Sequence, residues 1–128
     1  MTIIAVLMSS IAYPTTSYGT SAAATLTIPI GAATPGNPAF EPAYLIIEEG
    51  EEVDVINEDS SPHTVTSGTG LEDPNAGKIF DTSIIPNQDL TELQQDYELG
   101  TANLEPGEYD FHCAIYPFMT GKLKVVEE

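Results

Sequence analysis

Short runs with apolar residues at every second position, each broken by glycine or proline within about ten residues, run through most of this sequence. Thr25-Leu26-Thr27-Ile28-Pro29-Ile30 alternates polar and apolar. Ala43-Tyr44-Leu45-Ile46-Ile47-Glu48 follows after a proline-rich stretch, and then comes Glu51-Glu52-Val53-Asp54-Val55-Ile56-Asn57, with Val53 and Val55 on one face. His63 to Ser67, Gly107 to Cys113 and Gly121 to Val126 have the same character, the last with Leu123 and Val125 on one side. A period of two lays alternate side chains on opposite faces of a strand. Strands this short, with turns between them, bury apolar faces by stacking sheets, so the chain is expected to be an all-β antiparallel sandwich or barrel.

The connections are less uniform. Ala32 to Pro42 is loop, and Gly68 to Gly77 reads as a surface excursion. Glu49-Gly50 joins two strands either as a hairpin or as a corner between sheets. Ile79 to Ile84 starts a further extended piece. Leu90 to Leu99 fits a short helix by its Leu90, Leu93 and Tyr97 spacing, and a strand by Leu93, Gln95 and Tyr97; the all-β context favours strand from about Thr91.

With 128 residues the chain makes one domain able to bury a core without staples. Residues 25–128 are assigned to that domain and residues 1–24 to a signal-like or anchor segment. Ile3 to Ile11 is an apolar run too short to span a bilayer, and Ser21-Ala22-Ala23-Ala24 offers a cleavage zone, although no basic residue precedes Lys78. Export is the expectation, with membrane attachment only through an uncleaved anchor. Twenty acidic residues against three lysines give a formal charge of −17, which excludes phosphate-rich nucleic acid as a partner. Such a surface either steers a basic partner or suits a salty medium in which the field is screened.

Cys113 is the only cysteine, so no internal disulfide forms and one thiol is left for other chemistry. It stands in Tyr109-Asp110-Phe111-His112-Cys113-Ala114-Ile115-Tyr116-Pro117-Phe118-Met119-Thr120-Gly121, with Met119 six residues on. The other histidine, His63, follows the loop Glu58-Asp59-Ser60-Ser61-Pro62. Alone, a cysteine is a small buried hydrophobe and a methionine fills core gaps. Together, a thiolate, a thioether and an imidazole make a soft donor set that selects copper, and a weak axial methionine marks an electron-transfer site. Zinc is disfavoured by the sulfur-rich set. His112 neighbours Cys113 on one strand and should point to the opposite face. Ser60 and Ser61 lie near His63, but no spacing here announces a nucleophile with base and orienting acid, so hydrolysis is not expected.

From about Phe40 to Val126 the chain resembles the small cupredoxins, blue type 1 copper proteins of the plastocyanin and amicyanin kind. Two motifs carry the likeness: Val53-Asp54-Val55-Ile56-Asn57 with His63 six residues later, and Cys113-Ala114-Ile115-Tyr116-Pro117-Phe118-Met119-Thr120-Gly121. The resemblance implies a Greek-key β-sandwich of about seven or eight strands, binding one copper through His63, Cys113 and axial Met119, with Asn57 tying the two ligand loops together by hydrogen bonds. It also implies a monomeric electron carrier that docks redox proteins. Tyr44, Tyr116, Pro117 and Phe118 would belong to the contact patch, ringed by acidic residues.

Tyr116 departs from the family pattern, because the resemblance places a second histidine ligand there. Three outcomes are open: water fills the position, the Tyr116 phenolate binds the metal, or useful copper affinity is lost. Water there would leave an open site able to react with a small molecule. Three functions are weighed accordingly: electron transfer, reaction of an open site with a small molecule, and a copper store, chaperone or metal-free sandwich.

Overall fold

The computed structural model describes residues 24–87 and 97–128, which form seven strands and no helix. They are β1 (Ala24–Ile28), β2 (Tyr44–Glu48), β3 (Val53–Asn57), β4 (Thr66–Ser67), β5 (Tyr97–Leu99), β6 (Gly107–His112) and β7 (Thr120–Val126). Two sheets result, a three-stranded one in the order β1-β3-β5 and a four-stranded one in the order β2-β7-β6-β4. The expected all-β sandwich is present. The signal-like or anchor segment lies outside the described residues but for Ala24, which begins β1. Of the strand expected from about Thr91, only β5 is described.

Neither sheet is purely antiparallel, which corrects the expectation. β1 runs parallel to β3, and β2 runs parallel to β7. The cause is the connection at Glu49-Gly50, which is a corner rather than a hairpin. The chain leaves β1, lays β2 on the other sheet, turns at Gly50 with φ 82° and returns as β3 beside β1. A crossover through the opposite layer brings a strand back in its original direction, and parallel pairing follows. The Ile79–Ile84 segment forms only one bridge, Asp81 opposite Thr66, because Ile79 and Ile84 face solvent and Phe80 alone is buried.

The inner faces hold what the alternation promised. Leu26 and Ile28, Leu45 and Ile47, Val53 and Val55, and Leu123 and Val125 are buried between the sheets. Phe111 meets the edge of Phe40 at 5.0 Å between ring centroids. The β6–β7 register places the C-terminal end of β6 and the N-terminal end of β7 at one pole, and the loop that leaves β3 reaches them there through the Thr64 amide bond to Cys113. Glu48 to Glu52 and Glu127-Glu128 sit at the other, where the Glu49 amide bonds the Val126 carbonyl.

Candidate metal centre

Three loops meet at the first pole. His63 lies just beyond the loop that leaves β3 and is fixed by a two-way backbone bridge to Ile85, at 3.1 and 2.7 Å. Cys113 follows the last residue of β6, and Met119 precedes the first of β7. The loop between them is closed by two backbone bonds, Cys113 N–H to the Met119 carbonyl at 3.1 Å and Met119 N–H to the Tyr116 carbonyl at 2.9 Å. Cys113, Met119 and His63 have no solvent exposure. Cys113 Sγ is 3.6 Å from His63 Nδ1, although fifty positions separate the residues.

Asp59, to which sequence reasoning gave no role, fixes the imidazole. Its Oδ2 is 2.7 Å from His63 Nε2, and its Oδ1 accepts the Gly31 amide at 2.8 Å. A carboxylate on Nε2–H leaves Nδ1 as the nitrogen facing the sulfur, and such outer partners orient metal-binding histidines. The available signal was an aspartate four residues before the histidine in a short loop.

The ionisation of all three groups follows from this packing. Burial pushes the Asp59 carboxyl up, but hydrogen bonds from His63, Gly31 and Ser60 outweigh it and hold the group below the ordinary value. Burial disfavours the His63 imidazolium, yet the contacts with Cys113 and Asp59 raise its pKa overall. Burial likewise opposes the Cys113 thiolate, while His63 and the backbone amides of Thr64, Tyr116 and Ile115 bring the pKa below that of an ordinary thiol. The Thr64 amide reaches Sγ at 3.4 Å. The sulfur therefore sits in a cup of N–H donors suited to a negative charge.

The tie between the two loops is made by Thr64 rather than by Asn57. Thr64 Oγ1 accepts the Ala114 amide at 2.8 Å, and the Thr64 amide bonds Cys113 Sγ. Asn57 Nδ2 instead donates to the carbonyls of Ser61, Pro86 and Ile85 at 2.9, 3.2 and 3.3 Å, while its Oδ1 accepts the Asp59 amide. Asn57 thus shapes the histidine loop and straps it to the segment at Ile85-Pro86.

Tyr116 is half-buried. Its ring centroid lies 5.2 Å from that of His63, tilted by 51°, and Phe118 stacks edge-on at 6.2 Å. Phe118 and Ile115 are exposed beside it. Tyr44 lies elsewhere, on the outer face of the four-stranded sheet, with its hydroxyl donating to Glu108 at 3.0 Å. His112 is buried under the Gly68 excursion, and its Nδ1 donates to the Gly68 carbonyl at 3.0 Å, as strand alternation requires.

Among the described residues, no three His, Cys, Asp or Glu side chains are placed to hold one metal ion between them, and Asp59 meets His63 on the nitrogen turned away from the sulfur. The strong donors are therefore His63 and Cys113, with Met119 buried in the same core cluster. This set fits copper. Cys113 Sγ and His63 Nδ1, 3.6 Å apart, lie close enough to serve one ion, and a thiolate with an imidazole suits a soft one.

Comparison with known proteins supports the fold. The family model described as a cupredoxin-like domain matches residues 2–125. A novel purple cupredoxin from Nitrosopumilus maritimus is 25% identical, with a TM-score of 0.65 over 80% of this chain and 99% of its own. An amicyanin mutant in the reduced state is 28% identical, with a TM-score of 0.55 over 81% of this chain and 82% of its own. A second amicyanin mutant, solved with Cu(I), is 26% identical, with a TM-score of 0.57 over 84% and 86%. No curated protein sequence matches significantly.

Proposed function

The chain belongs to the cupredoxin-like family, and from that premise we propose that it is a small copper-binding electron carrier, with His63, Cys113 and Met119 as the ligands of one copper ion. The observation that carries the reading is the fully buried Cys113–His63 pair, 3.6 Å apart, with Asp59 directing Nδ1 toward the sulfur. Bound there, copper would supply a one-electron couple between its +1 and +2 states. The protein's share is to hold the donors in place: the backbone-closed Cys113–Met119 loop, the N–H cup around Sγ and the strap at Ile85-Pro86 all restrain the ligands.

Tyr116 caps the site in this reading. Its ring covers His63 where the family pattern has a second imidazole, and with Phe118 it forms an aromatic edge reaching the surface. Ile115, Tyr116 and Phe118 form the face on which a redox protein docks. The charge of −17 favours a basic one. The protein is exported and monomeric in this reading, the apolar run at Ile3–Ile11 being the support for export.

Titration of the metal-free protein with copper(II), followed by absorption and electron paramagnetic resonance, tests the assignment. An intense thiolate-to-copper band that saturates at one equivalent and is absent in Cys113→Ser is expected. No band in the native protein, with one restored by Tyr116→His, would overturn the electron-carrier reading and leave a domain that has given up the metal. A band that shifts on addition of azide would favour an open site that reacts with small molecules.

A further inference from the structure

A buried chain of hydrogen bonds leads from the Cys113 loop to the surface. The Ala114 amide donates to Thr64 Oγ1 at 2.8 Å, Thr64 Oγ1 lies 2.8 Å from Thr66 Oγ1, and Thr66 Oγ1 reaches Asp81 Oδ1 at 3.1 Å. Both threonines are buried, whereas Asp81 is exposed. The direction of the chain is fixed by counting protons. A carboxylate has none to give, so Thr66 donates its single hydroxyl proton to Asp81. Thr66 then only accepts from Thr64, and Thr64 only accepts from Ala114. All the bonds point toward the carboxylate, the arrangement in which successive bonds polarise and strengthen one another.

Asp81 also holds the turn that follows it. Its Oδ1 accepts the Ser83 amide at 2.9 Å, and Ser83 has φ 61°, a left-handed conformation that needs such support in a residue with a side chain. Two residues later, Ile85 makes the two-way bridge to His63. One short segment, Asp81 to Ile85, is thus linked at its start, through Thr66 and Thr64, to the cysteine loop and bonded at its end to the histidine.

We propose that Thr66 and Asp81 are positioning residues for the metal centre: the Thr64–Thr66–Asp81 relay holds the Cys113 loop against His63 before any metal arrives. This rests on the ligand assignment made above, but its test does not require copper. Cys113 is the only cysteine and has no exposure, so a thiol reagent reaches it only when the loop opens or the chain unfolds.

The experiment measures the reaction rate of a chromogenic aromatic disulfide with metal-free native protein, Thr66→Val, Thr66→Ser and Asp81→Asn, across low urea concentrations. Thr66→Val removes both relay bonds of the Thr66 hydroxyl and should speed reaction by about tenfold or more, with a rate nearly independent of urea, as local opening gives. Thr66→Ser retains the hydroxyl and should stay near the native rate. Asp81→Asn changes an exposed residue, so it reports even if Thr66→Val fails to fold; it too should react faster. The copper-loaded variants should show a displaced thiolate band in Thr66→Val and a native one in Thr66→Ser. Native rates in both Thr66→Val and Asp81→Asn would overturn the proposal. So would acceleration that grows steeply with urea and matches the loss of global stability, since that marks an ordinary structural bond. If native protein binds no copper while the thiol rates follow the expected order, the ligand reading fails and the relay stands.

Discussion

Cys113 Sγ and His63 Nδ1, on two fully buried side chains, face each other across 3.6 Å, each shifting the other's ionisation. In the metal-free protein, burial alone would lower the His63 pKa, and the contacts with Cys113 and then Asp59 reverse it. Cys113→Ser removes the leading upward influence. Its His63 should therefore titrate at lower pH than in native metal-free protein, as read by the imidazole carbon-bound proton resonances. An unchanged or higher value would mean that the sulfur does not bear on the imidazole.

Asp59 gives the corresponding prediction on the acid side. Its folded pKa lies below the ordinary 3.8, the hydrogen bonds from His63, Gly31 and Ser60 outweighing burial. A depressed carboxyl contributes stability that is fully present above the unfolded value and lost as pH falls through the folded one. As pH falls below the ordinary carboxyl value, native protein should therefore lose more stability than Asp59→Asn, measured as urea midpoints of the metal-free forms. Parallel curves would show that the Asp59–His63 contact contributes nothing to the folded state.

Much of this was readable from residues alone, for a physical reason. Burial of every second residue fixes strand faces, so Val53, Val55, Leu123 and Val125 announced the core. Alternation also separated His112 from Cys113. Sheet membership was not readable, because a turn such as Glu49-Gly50 looks the same whether the next strand pairs with its predecessor or crosses to the other layer. The parallel β1–β3 pair followed from that choice. At the site, the sequence offered the donors but not what holds them. Thr64 and Asp81 act through contacts with residues 50 and 15 positions away, and nothing local marks such partners; Asp59 stands four positions before His63, a spacing that by itself assigns no contact. Asn57 was given a tie to the cysteine loop that Thr64 makes instead.

Gly121 lies opposite Phe111 in the β6–β7 register. A Cβ there would overlap the Phe111 ring and come within 3.0 Å of the Ala43 carbonyl. Phe111 is buried and already set against Phe40, so it has little room to give. Gly121→Ala should cost about 2 kcal/mol, within the usual range for overpacking. In the Phe111→Leu background the cost should shrink, since the two sites are in contact. Equal costs in both backgrounds, from urea midpoints, would locate the clash elsewhere.

Tyr116 separates a capping ring from a ligand. Its ring contacts run to His63 at 5.2 Å and to Phe118 at 6.2 Å, so the aromatic body, and not the hydroxyl, is what the fold packs. Tyr116→Phe keeps that body and should leave the copper band and its indifference to azide unchanged. Tyr116→Ala removes a half-buried ring, which should cost about 1–3 kcal/mol and open a path from solvent to His63. Azide should then shift the band of the alanine variant alone. A large change of the band in Tyr116→Phe would instead identify the phenolate oxygen as a ligand, because the hydroxyl is the only group that substitution removes.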